Sequence, residues 1–228
     1  MDYTAWARKH RKEIISRIVS KFDVDNEKEP LALFGAGIPG AGKTEFFNRL
    51  VGKDDNFVRI DLDEIVKEFP GYSPERYYEY RKAASLILDE LFRYCRRNKL
   101  NFVLDGTFAH ERTMENIEKA LKTHQVGIFF LRQDPLKAWQ LTRDREIVTK
   151  RGVSRDGFIY ACLKIPDNIR NVLKKHGHDL TIVAIKRRND NVGFDVIRDR
   201  REIDHILHKK YTKKELERII PHEYEAQD

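Results

Sequence analysis

The sequence offers little to build a cross-linked or membrane-spanning protein. Its 228 residues include only two cysteines, Cys95 and Cys162. Both sit beside apolar residues in helical patterns, so buried reduced thiols are expected in place of a disulfide framework. No run of 18 apolar residues occurs, which leaves no candidate transmembrane helix. The first twenty residues, MDYTAWARKHRKEIISRIVS, lack the apolar centre and small-residue cleavage site of a signal peptide. These absences set the expectation of a cytoplasmic protein with no membrane attachment. Internal repeats and flexible interdomain linkers are missing as well. So is any long basic block: 44 Lys and Arg stand against 37 Asp and Glu, spread along the chain. The net charge of +7 permits a polyanionic partner without requiring one, because a protein that handles nucleotides also needs cations. Nucleic acid is therefore the weaker expectation for a partner.

What is present suits one α/β domain with appendages. Hydrophobic residues make up 40% and charged residues 36%, enough for a single core under a charged surface. Near-continuous apolar runs predict five strands, at Leu31–Ala36, Asn56–Asp61, Leu100–Thr107, Gln125–Arg132 and Leu180–Lys186. Such runs are expected where helices cover both faces of a parallel sheet. Between them, helices are predicted at about Lys43–Val51, Pro74–Arg97, Glu111–Lys122, from Pro135 with Asp134 as cap, and Ser154–Lys175 with an interruption near Pro166. The N-terminal stretch reads as an amphipathic helix with Trp6, Ile14, Ile18 and Val19 on one face. Strands alternating with helices at these spacings predict a three-layer α/β/α sandwich around a mainly parallel five-stranded sheet. The predicted organisation is an N-terminal helix in residues 1–29, a core in 30–190, and a polar, helical tail in 191–228 packed on or near the core, with little capacity to build core of its own.

Between the first strand and the next helix stands Gly37-Ile38-Pro39-Gly40-Ala41-Gly42-Lys43-Thr44. This is the full G-x4-G-K-T phosphate-loop pattern in the strand–loop–helix order that gives it meaning. The glycines let backbone N–H groups converge on phosphate oxygens, and the helix N-terminus adds partial positive charge. Lys43 is positioned for the β- and γ-phosphates and Thr44 for Mg²⁺. No Asn-Lys-x-Asp sequence is present to read guanine, which favours ATP.

Acids and arginines follow in order. Asp61 ends the second strand and Asp63 follows it in V-R-I-D-L-D, at the sheet edge where ligands of open α/β sheets bind. Each could take a hydroxyl proton or hold Mg²⁺ through water, or simply cap the next turn. Asp105 ends V-L-D-G-T in a Walker-B-like position, and Thr107 could bond a substrate oxygen or cap a helix. Arg143, Arg145, Lys150 and Arg151 lie within nine residues. They could form a lid over a transferring phosphoryl group, or a solvated face paired with Asp144 and Glu146. A tyrosine-rich loop from Glu68 to Tyr78 is expected near the acceptor.

With GIPGAGKT, RIDLDEIVKEFPGY, VLDGT, Arg145, Arg151 and CLKIPDNIRNVL in this order, the chain resembles zeta-toxin-type kinases over roughly residues 30–175. The resemblance implies a nucleotide-kinase-like phosphate-loop fold. It further implies transfer of the ATP γ-phosphate to the amino-sugar 3′-hydroxyl of UDP-N-acetylglucosamine, and an antitoxin protein as partner. Asp63 would then be the base, Lys43 and Thr44 would hold phosphate and Mg²⁺, Asp105 and Thr107 would face the amino sugar, and Arg145 and Arg151 would clamp the phosphate. The chain departs from the family on the acceptor side. Asp105 stands where Glu is frequent, Phe158 where His is common, and Arg112 where an arginine usually comes sooner after the Gly-Thr pair. Two other readings remain open. One is a kinase for a nucleoside, an antibiotic or a polynucleotide 5′ end. The other is a non-catalytic, nucleotide-gated binding module.

Overall fold

The strand Leu31–Ala36 (β1) lies at the middle of the sheet, where a strand apolar on both sides belongs. The structure, a computed structural model, describes residues 1–52, 56–187, 193–208 and 211–221. The other strands are Val58–Asp61 (β2), Phe102–Asp105 (β3), Gln125–Arg132 (β4), Leu180–Arg187 (β5) and Phe194–Ile197 (β6). They are ordered β2-β3-β1-β4-β5-β6. The first five run parallel, and β6 pairs antiparallel with β5 through Arg187 opposite Phe194 and Ala184 opposite Ile197. The sheet thus has six strands where five were predicted. The extra one is a short edge strand whose central residues, Asp195 and Val196, are exposed, so it lacks the apolar run that marks the buried strands.

Alternate residues of β1 face opposite layers. Phe34 packs edge-on against Phe102 and against Phe92 of the long helix Tyr77–Arg97. Gly35 faces the other way, toward Phe47 in the helix Lys43–Val51. There Phe46 and Phe47 pack on Phe129, and Phe194 of β6 joins them. Each buried ring contributes about 1.5–3 kcal/mol, so these two aromatic clusters bind the helical layers to the sheet.

The N-terminal helix, Tyr3–Val19 (α1), is capped by Asp2, whose carboxylate accepts from the N–H groups of Thr4 and Ala5. Ala7, Ile14, Ile15 and Ile18 form its buried stripe, with Trp6 and Val19 at the margin. Numbering onward, Lys43–Val51 is α2, the single turn Leu62–Ile65 is α3 and Tyr77–Arg97 is α4. Helix α1 packs on α4. Its Tyr3 and Trp6 meet Tyr80 and Phe69, and Arg17 and Lys21 pair with Glu68. Helix α1 therefore braces the segment that follows Asp63. Pro74 opens a 3-10 turn, Pro74–Arg76, ahead of α4, and Ser73 makes no side-chain cap there.

The remaining helices are Thr113–Leu121 (α5), Pro135–Thr149 (α6), Arg155–His176 (α7), Arg200–His208 (α8) and Lys213–Ile219 (α9). Asp134 and Ser154 cap α6 and α7 as expected. Helix α7 runs unbroken through Pro166, contrary to the predicted interruption. Proline removes one N–H donor, and the buried residues Phe158, Ile159, Ala161, Ile165, Ile169 and Val172 hold the helix on both sides of it. The helices of the tail carry buried residues of their own. Ile203, Leu207, Leu216 and Ile220 are buried, and α8 and α9 pack on α7. The guanidinium of Arg155 donates to the carbonyls of Glu217 and Ile220. The predicted boundary at 190/191 and the tail beyond residue 221 lie outside the described residues. Both cysteines are free thiols, pushed up to about 12 by burial; Cys95 is fully enclosed and Cys162 half-buried. Among the described residues no helix is long and apolar enough to cross a membrane.

Candidate active site

The chain leaves β1 for β2, two positions to one side, while β4 lies directly on the other side. This reversal opens a crevice at the carboxyl end of β1. The Gly37–Thr44 loop fills it. Gly37 N–H donates to the Thr107 carbonyl beyond β3, and on the other side Gly37 abuts the Leu131 carbonyl of β4. Gly40 and Gly42 have φ of 77° and 85°, left-handed values that side chains rarely adopt. Gly40 also packs so closely on α6 that a Cβ would overlap the Ala138 carbonyl oxygen. Gly42 opens α2 with no side-chain cap, leaving the first N–H groups of that helix turned to the loop.

Lys43 curls back over the loop. Its Nζ donates to the carbonyls of Gly37 and Ile38 at 2.8 and 3.0 Å. Burial pushes its pKa down to about 8. Arg145 acts in the same direction, and Asp105, Asp61 and Asp63 oppose it. The same charges that bear on Lys43 are the acids and one arginine singled out in the sequence, so the topology brings them to one place.

Asp105 stands at the end of β3, with its side chain only 5% exposed. Its Oδ2 accepts from the Thr44 hydroxyl at 3.0 Å and pairs with Arg59 of β2 at 3.2 Å. Arg59 also donates to Asn48 of α2. A hydroxyl and a carboxylate side by side at a phosphate loop fit Mg²⁺, which takes oxygen ligands and binds through one or two carboxylates plus phosphate oxygens. No group of three acidic, histidine or cysteine ligands is found among the described residues; a cation held jointly with a nucleotide needs none.

Asp61 caps α3: its Oδ1 accepts from the Asp63 N–H at 2.8 Å. Burial, with Asp105 and Asp63 adding like charge, raises its pKa to about 7. Asp63 lies in the first turn of α3 and is one-third exposed. Its Oδ1 accepts from the Tyr77 hydroxyl at 2.9 Å. Its Oδ2 faces Arg151 at 3.0 Å and Arg145 at 3.9 Å. The Arg151 pair is close but not aligned as a hydrogen bond, so Arg151 Nη1 is buried with no hydrogen-bond partner.

The arginine segment divides by role. Arg143 stacks over Trp139, pairs with Glu146 at 2.6 Å and donates to the Val153 carbonyl. It fixes the loop after α6 and does not enter the crevice. Arg145 and Arg151 turn inward on Asp63, and Arg151 also lies over the Tyr77 ring. Tyr78 donates to the Gly152 carbonyl at 2.6 Å, tying the start of α4 to this loop. Of the tyrosine-rich segment expected near the site, Tyr77 thus reaches Asp63 directly.

The structure therefore brings together Lys43, Thr44, Asp61, Asp63, Asp105, Arg145 and Arg151. Thr107 adjoins the loop through its carbonyl, and its hydroxyl accepts weakly from the Ala109 N–H. Arg112 is placed elsewhere: it pairs with Asp89 of α4 at 2.9 Å and with Glu115 on its own helix. Phe158 is fully buried against Trp139 and is part of the core. Sequence reasoning missed Arg59, and took in Tyr77 only as one of the tyrosines of the Glu68–Tyr78 segment. Arg59 carried a signal, a charged residue inside an apolar strand at V-R-I-D.

Comparison with known proteins bears on the fold and the family. A search of curated proteins gives no match. A structure of the PezAT chromosomal toxin–antitoxin system of Streptococcus pneumoniae superposes with TM-score 0.65 at 18% identity, covering 91% of each chain. The AvrRxo1-ORF1:AvrRxo1-ORF2 complex with sulphate ions gives 0.64 at 12% identity, over 83% of this chain and 65% of that one. The same pair with ATP gives 0.60 at 12% identity. These likenesses establish the fold. The sequence profile described as Zeta toxin matches residues 16–198, most of the chain and every residue of the crevice, and the chain belongs to the Zeta toxin family.

Proposed function

We propose that the protein is an ATP-dependent phosphotransferase that moves the γ-phosphate of ATP to a hydroxyl of a small acceptor, the amino-sugar 3′-hydroxyl of UDP-N-acetylglucosamine or a related sugar nucleotide. The observation that carries this reading is the placing of the Asp63 carboxylate. It faces two arginines beside the phosphate loop, while Tyr77 holds its other oxygen. An ATP-bound neighbour of the same fold supports the nucleotide.

The loop N–H groups and Lys43 bind the β- and γ-phosphates. Thr44 and Asp105 would hold Mg²⁺, which when bound would neutralise charge on the phosphate oxygens. Asp63 accepts the acceptor hydroxyl's proton as that oxygen bonds to the γ-phosphorus and the bond to the β–γ bridging oxygen breaks, releasing ADP. Arg145 and Arg151 stabilise the charge on the transferring oxygens. Asp61 holds the Asp63 backbone in place. An antitoxin is the partner that the PezAT toxin–antitoxin neighbour suggests, and a cytoplasmic setting supplies both ATP and sugar nucleotide.

The test is transfer of labelled γ-phosphate to a panel of sugar nucleotides, nucleosides and oligonucleotides by wild type and Asp63→Asn. Label on UDP-N-acetylglucosamine, reduced about 10²–10⁴-fold in the variant, is the expected result for loss of a general base. Label on a nucleoside or oligonucleotide replaces the acceptor and keeps the kinase. Undiminished turnover in Asp63→Asn refutes the base.

A further inference from the structure

Two adjacent tyrosines at the start of α4 reach two different parts of the crevice. Tyr77 donates to Asp63 Oδ1 at 2.9 Å, and its ring lies 5.6 Å beneath the Arg151 guanidinium. Tyr78 donates to the Gly152 carbonyl at 2.6 Å. The rings meet edge-on at 5.5 Å, so neither turns freely without the other. Behind them, Tyr80 donates to the Gly71 carbonyl and Tyr3 and Phe69 pack on its ring. The first turn of α4 is thereby anchored to α1 and to the segment leaving α3.

We propose that Tyr77 is a positioning residue that fixes the Asp63 carboxylate, with Oδ2 turned to the arginines, and that Tyr78 fixes the loop carrying Arg151 against the same helical turn. This rests on the reading of Asp63 as the base. A carboxylate in a four-residue helix with one-third of its surface open has little packing of its own to set χ1 and χ2. Without the phenol, Oδ1 and Oδ2 would be free to exchange places before Arg151. One rigid helical turn carrying both contacts sets the distance between the group that takes the proton and the group that meets the phosphate. A misplacement of about 1 Å between such groups is enough to cost 10²-fold in rate.

The test compares Tyr77→Phe and Tyr78→Phe with wild type. Tyr77→Phe keeps the ring, so its melting temperature is expected to stay near that of wild type. The Asp63 carboxyl ¹³C resonance, assigned by its loss in Asp63→Asn, should move most in Tyr77→Phe, which loses the direct bond, and less in Tyr78→Phe, where only the loop carrying Arg151 is loosened. Turnover of ATP with UDP-N-acetylglucosamine, and with water alone, should fall about tenfold in kcat in Tyr77→Phe. That is the size of one hydrogen bond to a charged group. KM for ATP should be unchanged. Tyr78→Phe should instead raise amide exchange in residues 150–153. An unmoved Asp63 resonance in Tyr77→Phe, or an equal displacement in Tyr78→Phe, overturns the assignment. Full turnover in Asp63→Asn would overturn the base reading alone, because the resonance reports on Tyr77 without any reaction.

Discussion

Two glycines separate backbone strain from steric overlap. Gly40 and Gly71 both sit in the left-handed region, at φ of 77° and 68°. A Cβ on Gly71 meets nothing within 4 Å, whereas on Gly40 it overlaps the Ala138 carbonyl and comes within 2.7 Å of the Thr142 hydroxyl. The left-handed conformation costs a non-glycine residue roughly 1–2 kcal/mol. In a protein of this size 1 kcal/mol shifts Tm by about 2–4 °C. Gly71→Ala should therefore melt about 2–8 °C lower and bind ATP as wild type does. Gly40→Ala bears the same strain and adds overpacking of about 1–3 kcal/mol. The carbonyl it strikes belongs to the α6 backbone, so the loop tip must yield. Displacing even two loop N–H groups, at about 1.5 kcal/mol or more each toward a charged phosphate, weakens ATP about 100-fold or more. Differential scanning fluorimetry and calorimetric titration with a non-hydrolysable ATP analogue and Mg²⁺ measure the two quantities. Wild-type affinity in Gly40→Ala, or lost affinity in Gly71→Ala, would refute the role given to the tight loop–helix contact.

Two further outcomes follow from buried groups. The folded chain keeps a proton on Asp61 up to about pH 7, while the unfolded chain releases it near the ordinary value of 3.8. Stability therefore falls as pH rises through that window. Asp61→Asn cannot ionise and can still cap α3. It should melt higher than wild type at pH 8, with the difference closing by pH 4; a constant offset across the range would contradict the burial argument. Leu216→Ala should destabilise by about 3 kcal/mol, the cost of emptying a buried leucine site. Its melting temperature should then fall by about 6–12 °C, because Leu216 is fully enclosed; an unshifted melting curve would contradict the packing of α9 on α7.

Where one kind of pattern dominates a segment, the sequence was readable. Leu31–Ala36 and Gln125–Arg132 are continuous apolar runs, and the strands begin and end with them. The phosphate loop was legible because its chemistry is local: eight consecutive residues both make it and name it. Asp61 and Asp105 end strands that the pattern had located, and Asp63, Arg145 and Arg151 drew their roles from the ordered resemblance. Readability failed where apolar residues were sparse. Ile203, Ile206 and Leu207, then Leu216 and Ile220, are islands in charged sequence, and only the surface of α7 shows that they are core. The ion pair of Arg112 was not readable because its partner, Asp89, is 23 residues away on another helix. Tyr77 was seen as part of an aromatic segment without its role. Its bond to Asp63 spans 14 residues and depends on how a 3-10 turn aims the start of α4.

The Lys43 ammonium rests on the carbonyls of Gly37 and Ile38. The loop is therefore already wound around its own cation. A phosphate entering the crevice exchanges those two acceptors for its oxygens and finds the peptide units in place. The conformational entropy of shaping the loop is met during folding, so it does not subtract from affinity. Affinity there should thus be governed by how firmly the rest of the fold holds the loop's curvature, which makes the packing of α6 on Gly40 a determinant of nucleotide affinity.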